Sequence, residues 1–530
     1  MTERRPILLV GLDACDPRTA RQLAAEGRMP VLRELLRRGA RAPVRLPFGL
    51  FVGGLWPSFE TGLRPDGHGL HCWDEIEIAS YERRLTSVTR KKGMPFWERL
   101  GAAGRRVATV DVPHTVVAAL SHGLHIAEWG CHDRHLGLAS GPAGAAGRLE
   151  RDFGLHPIFG MDARARRSFA PDDYIHRAGP LRDADEDAQL VDGLIRGAEI
   201  KGRLSRALLE AEKWDLFITV FGESHAVGHQ QWHLHDHGHP RFDAARRAAI
   251  GGDPVVRVYA ALDAALGELL SSAGEETLVL VLLSHGMGPH HDGTHLLDEV
   301  LRRIDLADRT AASGGCWGTA SKRALHGLPP WLQRAAARLA LASLRRRARE
   351  RALAPAREFV SAAERAEQRF FLEPNNYVYG GVRLNQAGRE PRGRVAPEET
   401  AAVAAALKRD LMALVNVANG RRVIRGVERA DGRYDRSATD TIPDLFLDWE
   451  RTTPIETVWS AKTGLVHAPY LHWRTGDHRP GGLLLVAGPG LPPGRELPGI
   501  AIEDLPASLA ARLGCDPAGM HGRPVPWLAA

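Results

Sequence analysis

Ile7-Leu-Leu-Val-Gly-Leu12 is apolar from end to end and stops on a charged residue, Asp13. A short apolar run without polar alternation is the pattern of a strand buried on both faces, as in a parallel sheet. Its last side chain then lies at the carboxyl edge of the sheet, where open α/β folds gather ligands. From Pro17 to Gly39, apolar positions at Leu23, Val31, Leu32, Leu35 and Leu36 and a closing glycine predict a helix, and with it a first β-then-α unit. The same apolar signature returns at Arg105–Val110, Trp214–Phe221, Thr277–Leu283 and Gly482–Gly488, each flanked by helix-forming Ala, Leu and Arg. Repetition of this kind predicts an α/β fold: a doubly wound, mainly parallel sheet with helices on both faces.

The chain has 530 residues, more than one ordinary domain, and its texture changes along its length. Residues 309–371 lose the apolar strands and become rich in Ala, Leu and Arg, as at Leu344-Arg-Arg-Arg-Ala-Arg-Glu-Arg351. A helical insertion is expected there, and its basic run reads better as a solvated face than as a membrane contact. Residues 372–450 carry a helical pattern, Pro397 to Leu414, between strand-like runs, as a small α+β lobe would. The core is thus expected over 1–308 and again over 451–530.

Composition narrows the function classes. Hydrophobic residues are 44% and charged residues 25%, the balance of a soluble enzyme, and no apolar run reaches the roughly 20 residues of a membrane span. The first apolar run ends at Leu12, too early for a secretory signal, so a cytoplasmic protein is expected. Five scattered cysteines, an odd number without a C-x-x-C pair, are expected to be reduced thiols. A net charge of +6 favours anionic ligands weakly, while 6% aromatics and no concentrated basic stripe speak against a nucleic-acid polymer.

Histidine is unevenly spread: six of 24 lie between His225 and His239, and four between His285 and His295. Each cluster follows a predicted strand, a pattern that suggests a metal site at the sheet edge. His225 and His229 stand four apart, so on a helix they share one face and can grip one ion. A solvated polar loop is the competing reading, and it suits His233, His235, His237 and His239.

Four segments then point to a family. Gly11-Leu-Asp-Ala14, Leu55-Trp-Pro-Ser-Phe-Glu-Thr-Gly-Leu-Arg-Pro-Asp-Gly-His-Gly69, Leu283-Ser-His-Gly-Met-Gly-Pro-His-His-Asp-Gly-Thr-His295 and Arg474-Thr-Gly-Asp-His-Arg-Pro-Gly-Gly482 stand in this order. Together they resemble the alkaline phosphatase superfamily, nearest to the type I phosphodiesterase/nucleotide pyrophosphatase group and its phosphohydrolase and phosphomutase relatives. Gly388-Arg-Glu-Pro391 and Ile442-Pro-Asp-Leu445 look like that group's accessory lobe. The resemblance implies an alkaline phosphatase-like core, two divalent metals, usually zinc, and a phosphorylated small-molecule substrate. It makes Asp13 and His285 ligands of one metal, and His229 and His478 ligands of the other.

Three positions depart from the family pattern. The Asp-His-Gly motif reads Ser284-His285-Gly286, the Asp four before His229 is His225, and the Thr or Ser nucleophile falls on Val52 when counted back from Thr61-Gly62. No hydroxyl or thiol residue lies between Thr19 and Ser58 to replace it. His225, His229 and His478 would form one zinc site of neutral imidazoles, a set that keeps the ion a strong Lewis acid. The second site, Asp13 with His285 and the weak ligand Ser284, is expected to be weaker, with Mn2+ or Mg2+ as alternative ions.

The expected chemistry is therefore hydrolysis of a phosphate monoester or diester by zinc-activated water, without a covalent step. Phosphoryl or sulfuryl transfer, a lyase step, or ligand binding without turnover are the rival readings. Glu223 is a candidate general base or a partner of His225, and Arg479 a candidate for a phosphoryl oxygen or a structural ion pair. His68 is expected to brace its turn, while Asp111–Thr115 and Trp129–Asp133 are candidates to line the pocket.

Overall fold

The computed structural model describes residues 5–118, 120, 122–131, 135–158, 183–312, 360–436, 441–468, 474–489 and 493–529. Two compact units emerge, one from Met1–His71, Ser87–Pro289 and His472–Ala530, the other from Cys72–Thr86 and His290–Leu471. Most of the expected helical insertion, residues 313–359, lies outside the described residues.

The first unit is built on strands β1 (Ile7–Leu12), β2 (Ala40–Arg45), β3 (Val107–Val110), β4 (Gly123–Ala127), β5 (Ala139–Gly141), β6 (Leu216–Phe221) and β7 (Leu278–Leu283). It continues with β8 (Gly286–Pro289), β9 (Gly476–Arg479), β10 (Gly482–Ala487) and β11 (Ile500–Ala501). Nine of these form one sheet in the order β11-β2-β10-β7-β1-β6-β3-β4-β5. The centre, β7-β1-β6-β3-β4, is parallel throughout. The run Gly482–Ala487 joins this sheet, but antiparallel to both β2 and β7, and β5 is antiparallel to β4. The result is the mixed, mostly parallel α/β sheet that the repeated apolar runs imply.

All six residues of β1 are buried, and they alternate between two cores. Leu8, Val10 and Leu12 pack with Leu194 and Leu204 of α2 (Ala184–Ala211) and Leu262 and Leu266 of α4 (Pro254–Ser272). Ile7 and Leu9 pack on the other face with Leu55 and Phe59 of α1 (Phe51–Thr61). Each such side chain contributes about 1.5–3 kcal/mol when fully buried, which is why a run without polar positions belongs at the sheet centre.

The helix expected over Pro17–Gly39 is two helices, Pro17–Ala25 and Pro30–Arg38. Pro30 lacks the N–H that would continue the ladder and forces Met29 out of the helical region, to φ −130° and ψ 74°. The apolar spacing alone hides this break, because both helices face the same core.

The second unit holds a four-stranded antiparallel sheet in the order Phe370–Glu373, Tyr379–Leu384, Leu445–Trp449, Ile424–Arg429. Leu297 and Leu301 of helix Thr294–Ala312 and Leu407 and Leu411 of helix Thr400–Met412 share a core with Val382 and Leu447. The two motifs singled out in this region meet: Arg389 holds Asp444 through two bonds of 2.9 and 2.8 Å. Burial alone would raise the Asp444 pKa, but its bonds to Arg389 and the charge of Arg436 lower it to about 2.

Candidate metal centre

Strand register brings the chemistry together. Leu12 lies opposite Phe221 on one side and Leu283 on the other, so the residues that follow β1, β6 and β7 emerge at one edge. The Asp13 N–H donates to Phe221 O at 2.9 Å, and the Ser284 N–H to Leu12 O at 3.2 Å. Helix α3 (Glu223–His235) starts just beyond β6 and carries His225 and His229 on one face. His478 arrives on β9, which pairs antiparallel with β8 so that His478 lies opposite Met287. This hairpin presses on α3: a Cβ on Gly476 would sit 2.2 Å from the Gly228 carbonyl oxygen, so only glycine permits the crossing.

Three imidazoles converge. Ring centroids are 4.8 Å apart for His225 and His229, 4.8 Å for His225 and His478, and 4.6 Å for His229 and His478. One nitrogen from each lies within 4.8 Å of the others, and all three residues are buried.

The hydrogen-bond network fixes which nitrogens face inward. His225 Nδ1 donates to Asp13 Oδ2 at 2.7 Å, and His229 Nδ1 donates to Gly476 O at 2.8 Å. Both Nε2 atoms are therefore lone-pair acceptors, yet they face one another at 3.0 Å. Two tetrahedral zinc ligands at 2.0–2.1 Å from the ion stand roughly 3.3 Å apart. The pair thus has the spacing of a cation site.

His478 is set by a longer chain. Ser284 Oγ accepts from Ala14 N at 2.9 Å and donates to Asp13 Oδ1 at 3.1 Å, which leaves it to accept from His285 Nδ1 at 2.9 Å. His285 Nε2, now an acceptor, accepts the hydrogen bond donated by His478 Nδ1 at 2.8 Å. The third Nε2 is left as a lone pair as well. Burial pushes the His285 imidazole down to about 4, against the pull of Asp13, so it is neutral as this chain requires. For Asp13, burial acts upward, but His225 and His285, with the bonds from His225 and Trp56, hold the carboxyl well below the usual range.

The other expected residues fall as follows. Glu223 is fully buried, and its Oε1 lies 3.2 Å from His156 Nε2. His156 Nδ1 accepts from Ile158 N, so Nε2 carries the proton that Glu223 takes. Arg479 donates to His478 O at 2.9 Å and to Pro289 O, tying its guanidinium to the hairpin backbone. His68 is buried against Ser58 Oγ at 3.0 Å and accepts from Leu70 N, within its turn. Of Trp129–Asp133, His132 and Asp133 lie outside the described residues.

Val52 is the second residue of α1, half-buried. Phe51 meets His285 edge-on at 5.7 Å, and Trp56, one turn beyond Val52, donates Nε1–H to Asp13 Oδ1 at 2.9 Å. The face bearing Val52 therefore fronts the centre. Trp56 was not singled out from the sequence, although its spacing of four from Val52 carries the signal. Arg474 was not singled out either: it is buried, with Nη1 3.3 Å from His229 Nε2.

Among the described residues no helix is long and apolar enough to cross a membrane. The model of the type I phosphodiesterase/nucleotide pyrophosphatase family matches residues 7–478. A comparison with curated proteins finds no match. Among solved structures, murine ectonucleotide pyrophosphatase/phosphodiesterase 5 is similar at 10% identity over 98% of this chain and 97% of that one, with a TM-score of 0.48. Phosphonoacetate hydrolase from Sinorhizobium meliloti 1021, in complex with phosphonoacetate, is similar at 15% identity over 96% of each chain, with a TM-score of 0.49.

Proposed function

Given that the chain belongs to the type I phosphodiesterase/nucleotide pyrophosphatase family, phosphoester hydrolases of the alkaline phosphatase superfamily, we propose that it hydrolyses its ester with one divalent cation held by His225, His229 and His478. The supporting observation is that three buried imidazoles bring one nitrogen each within 4.8 Å of the others, with the Nε2 atoms of His225 and His229 3.0 Å apart. Neutral imidazole donors favour zinc over Mn2+ or Mg2+. When bound, the cation supplies Lewis acidity toward water and toward a phosphoryl oxygen.

The protein's own groups orient and exclude. Asp13 holds His225 directly and His478 through Ser284 and His285. Both its oxygens are thereby engaged, and so are both nitrogens of His285. We therefore read these two residues as orienting groups rather than as ligands of a second ion. At the start of α1 the family's nucleophile position is Val52, which offers no oxygen or sulfur to phosphorylate. Attack falls to water in a single displacement. Glu223, bound to His156, and Arg479, bound to carbonyls, support α3 and the hairpin in this reading.

The test pairs metal content with stereochemistry. Purified protein should hold about one zinc per chain, and His225→Ala and His478→Ala should lose it together with at least about 1000-fold in kcat/KM. A substrate chiral at phosphorus should be inverted. Retention demands a covalent intermediate and overturns the reading, as does activity that survives both substitutions.

A further inference from the structure

We propose that Trp56 occupies the place of a second cation at Asp13: its indole N–H and the Ser284 hydroxyl fill one carboxylate oxygen, and the centre is closed to every ion except the one between the three histidines. The inference rests on the cation reading above and goes beyond it by naming the group that sets the metal count.

The resemblance in sequence implies a second ion on Asp13, His285 and Ser284, beside the nucleophile position at Val52. The donors present do not fit it. An ionised carboxylate has about four acceptor positions. Asp13 Oδ1 accepts from Trp56 Nε1 at 2.9 Å and from Ser284 Oγ at 3.1 Å, and Oδ2 accepts from His225 Nδ1 at 2.7 Å. Ser284 Oγ gives its one proton to Asp13 and accepts from Ala14 N and His285 Nδ1, so its lone pairs are engaged as well. His285 Nε2 accepts from His478 Nδ1 at 2.8 Å. Val52 puts a hydrocarbon where a ligating oxygen would be needed. Among the described residues this donor set leaves one acceptor position on Oδ2, and a bound divalent ion needs several ligands.

The indole is seated for this role. Gly11 and Asp13 have the spacing that places two residues of a strand on one face. A Cβ on Gly11 would meet Trp56 Cη2 at 3.1 Å and Val220 Cγ2 at 3.0 Å, so the glycine lets the ring lie over the end of β1 with Nε1 at the carboxylate. Phe59 meets the ring edge-on at 5.7 Å between centroids, and Trp56 is buried. An indole nitrogen is a donor only, so it holds Asp13 and offers nothing to a metal. Val52 lies one turn earlier on α1, so one helix face brings an isopropyl group and an N–H to the centre and no ligand.

The experiment counts bound zinc at dialysis equilibrium. Wild type should hold about one zinc per chain, and His229→Ala, which removes a ligand of the three-histidine site and leaves the donors around Asp13 in place, should hold almost none. Ser284→Asp restores a carboxylate that can still accept from His285 Nδ1, so it should keep the first ion and bind a second weakly. Adding Trp56→Phe frees Oδ1 while keeping a ring against Phe59. The double variant should bind the second zinc roughly 10- to 100-fold more tightly than Ser284→Asp, the factor for removing a hydrogen bond to a charged acceptor. A tryptophan that served packing alone would not move this ratio, so equal second-ion affinities overturn the inference. Wild type labelled with nitrogen-15 at its indoles gives a check that no folding defect can spoil. The Trp56 Nε1–H resonance should stay in place as zinc rises beyond one equivalent, and a shift that saturates with a second equivalent would overturn the inference too. The cation reading fails separately, if wild type holds no zinc. A wild type with two zincs, one of them kept in His229→Ala, defeats the role of Trp56 and leaves the three-histidine site standing.

Discussion

Asp13 orients two sets of imidazoles, and it does so by different means. Toward α3 the control is direct, one hydrogen bond from His225 Nδ1, while His229 is held by the Gly476 carbonyl. Toward the β8–β9 hairpin the control passes through Ser284 and His285 before it reaches His478. The short route depends on one contact; the long route depends on a serine, where the family pattern has a carboxylate. A hydroxyl can pass a hydrogen bond onward because it both donates and accepts, which an ionised carboxylate cannot do. The exchange at 284 is therefore coherent with a relay that sets a tautomer.

The largest expected effect comes from removing the common origin. Asp13→Ala takes the partner of His225 and the anchor of Ser284 together, and zinc affinity should fall by about 100-fold, the upper end for loss of a group that orients a metal-bound histidine. Competition against a chelator measures it. An affinity unchanged in this variant would mean that the imidazoles hold their orientation without the carboxylate.

Ser284→Ala breaks only the longer route. The expected loss of zinc affinity is about 10-fold, the lower end of the same range, with the His225 side intact. Titrating the metal-free protein by NMR should show an altered tautomer at His478 and an unaltered one at His225. A loss as large as that of Asp13→Ala would show that the two routes are not separate, and the comparison would fail.

This division also separates what the sequence makes legible from what it hides. The strands β1, β6 and β7 are continuous apolar runs, and His225 and His229 keep helical spacing, so the α3 side can be read from local periodicity. The hairpin side cannot. Opposition of His478 to Met287 is set by antiparallel pairing of segments far apart in the chain, and only resemblance to a family identifies His478. Arg474 and Trp56 escape for a related reason, since each acts through a contact with a residue from another element. The direction of β10 is equally silent, because an apolar run packs the same way whichever way it runs. Pro30 shows the converse: its effect on the helix was local and readable, yet the amphipathic spacing of Leu23 to Leu36 masked it.

The smallest effect concerns acid, and it tests whether the centre differs from histidines buried only for structure. Burial pushes His68 down from 6.5 to about 3, and burial with the charge of Lys91 pushes His125 to about 4. Each accepts a backbone N–H at Nδ1, from Leu70 and Ala118, so a second proton on the ring destroys that bond. Folded pKa values below the unfolded one mean that the unfolded chain takes up protons first as the pH falls. The stability these two residues contribute is complete above pH 6.5, shrinks below it, and is gone once the pH has passed the folded values near 4 and 3. Metal-free protein should therefore show a gradual decline in Tm over that interval, and His125→Gln should make the decline shallower. Zinc-loaded protein should fall more steeply over the same range, because protons must also displace the ion from three imidazoles at once. Parallel curves for the two forms would mean that the cluster of His225, His229 and His478 holds no ion.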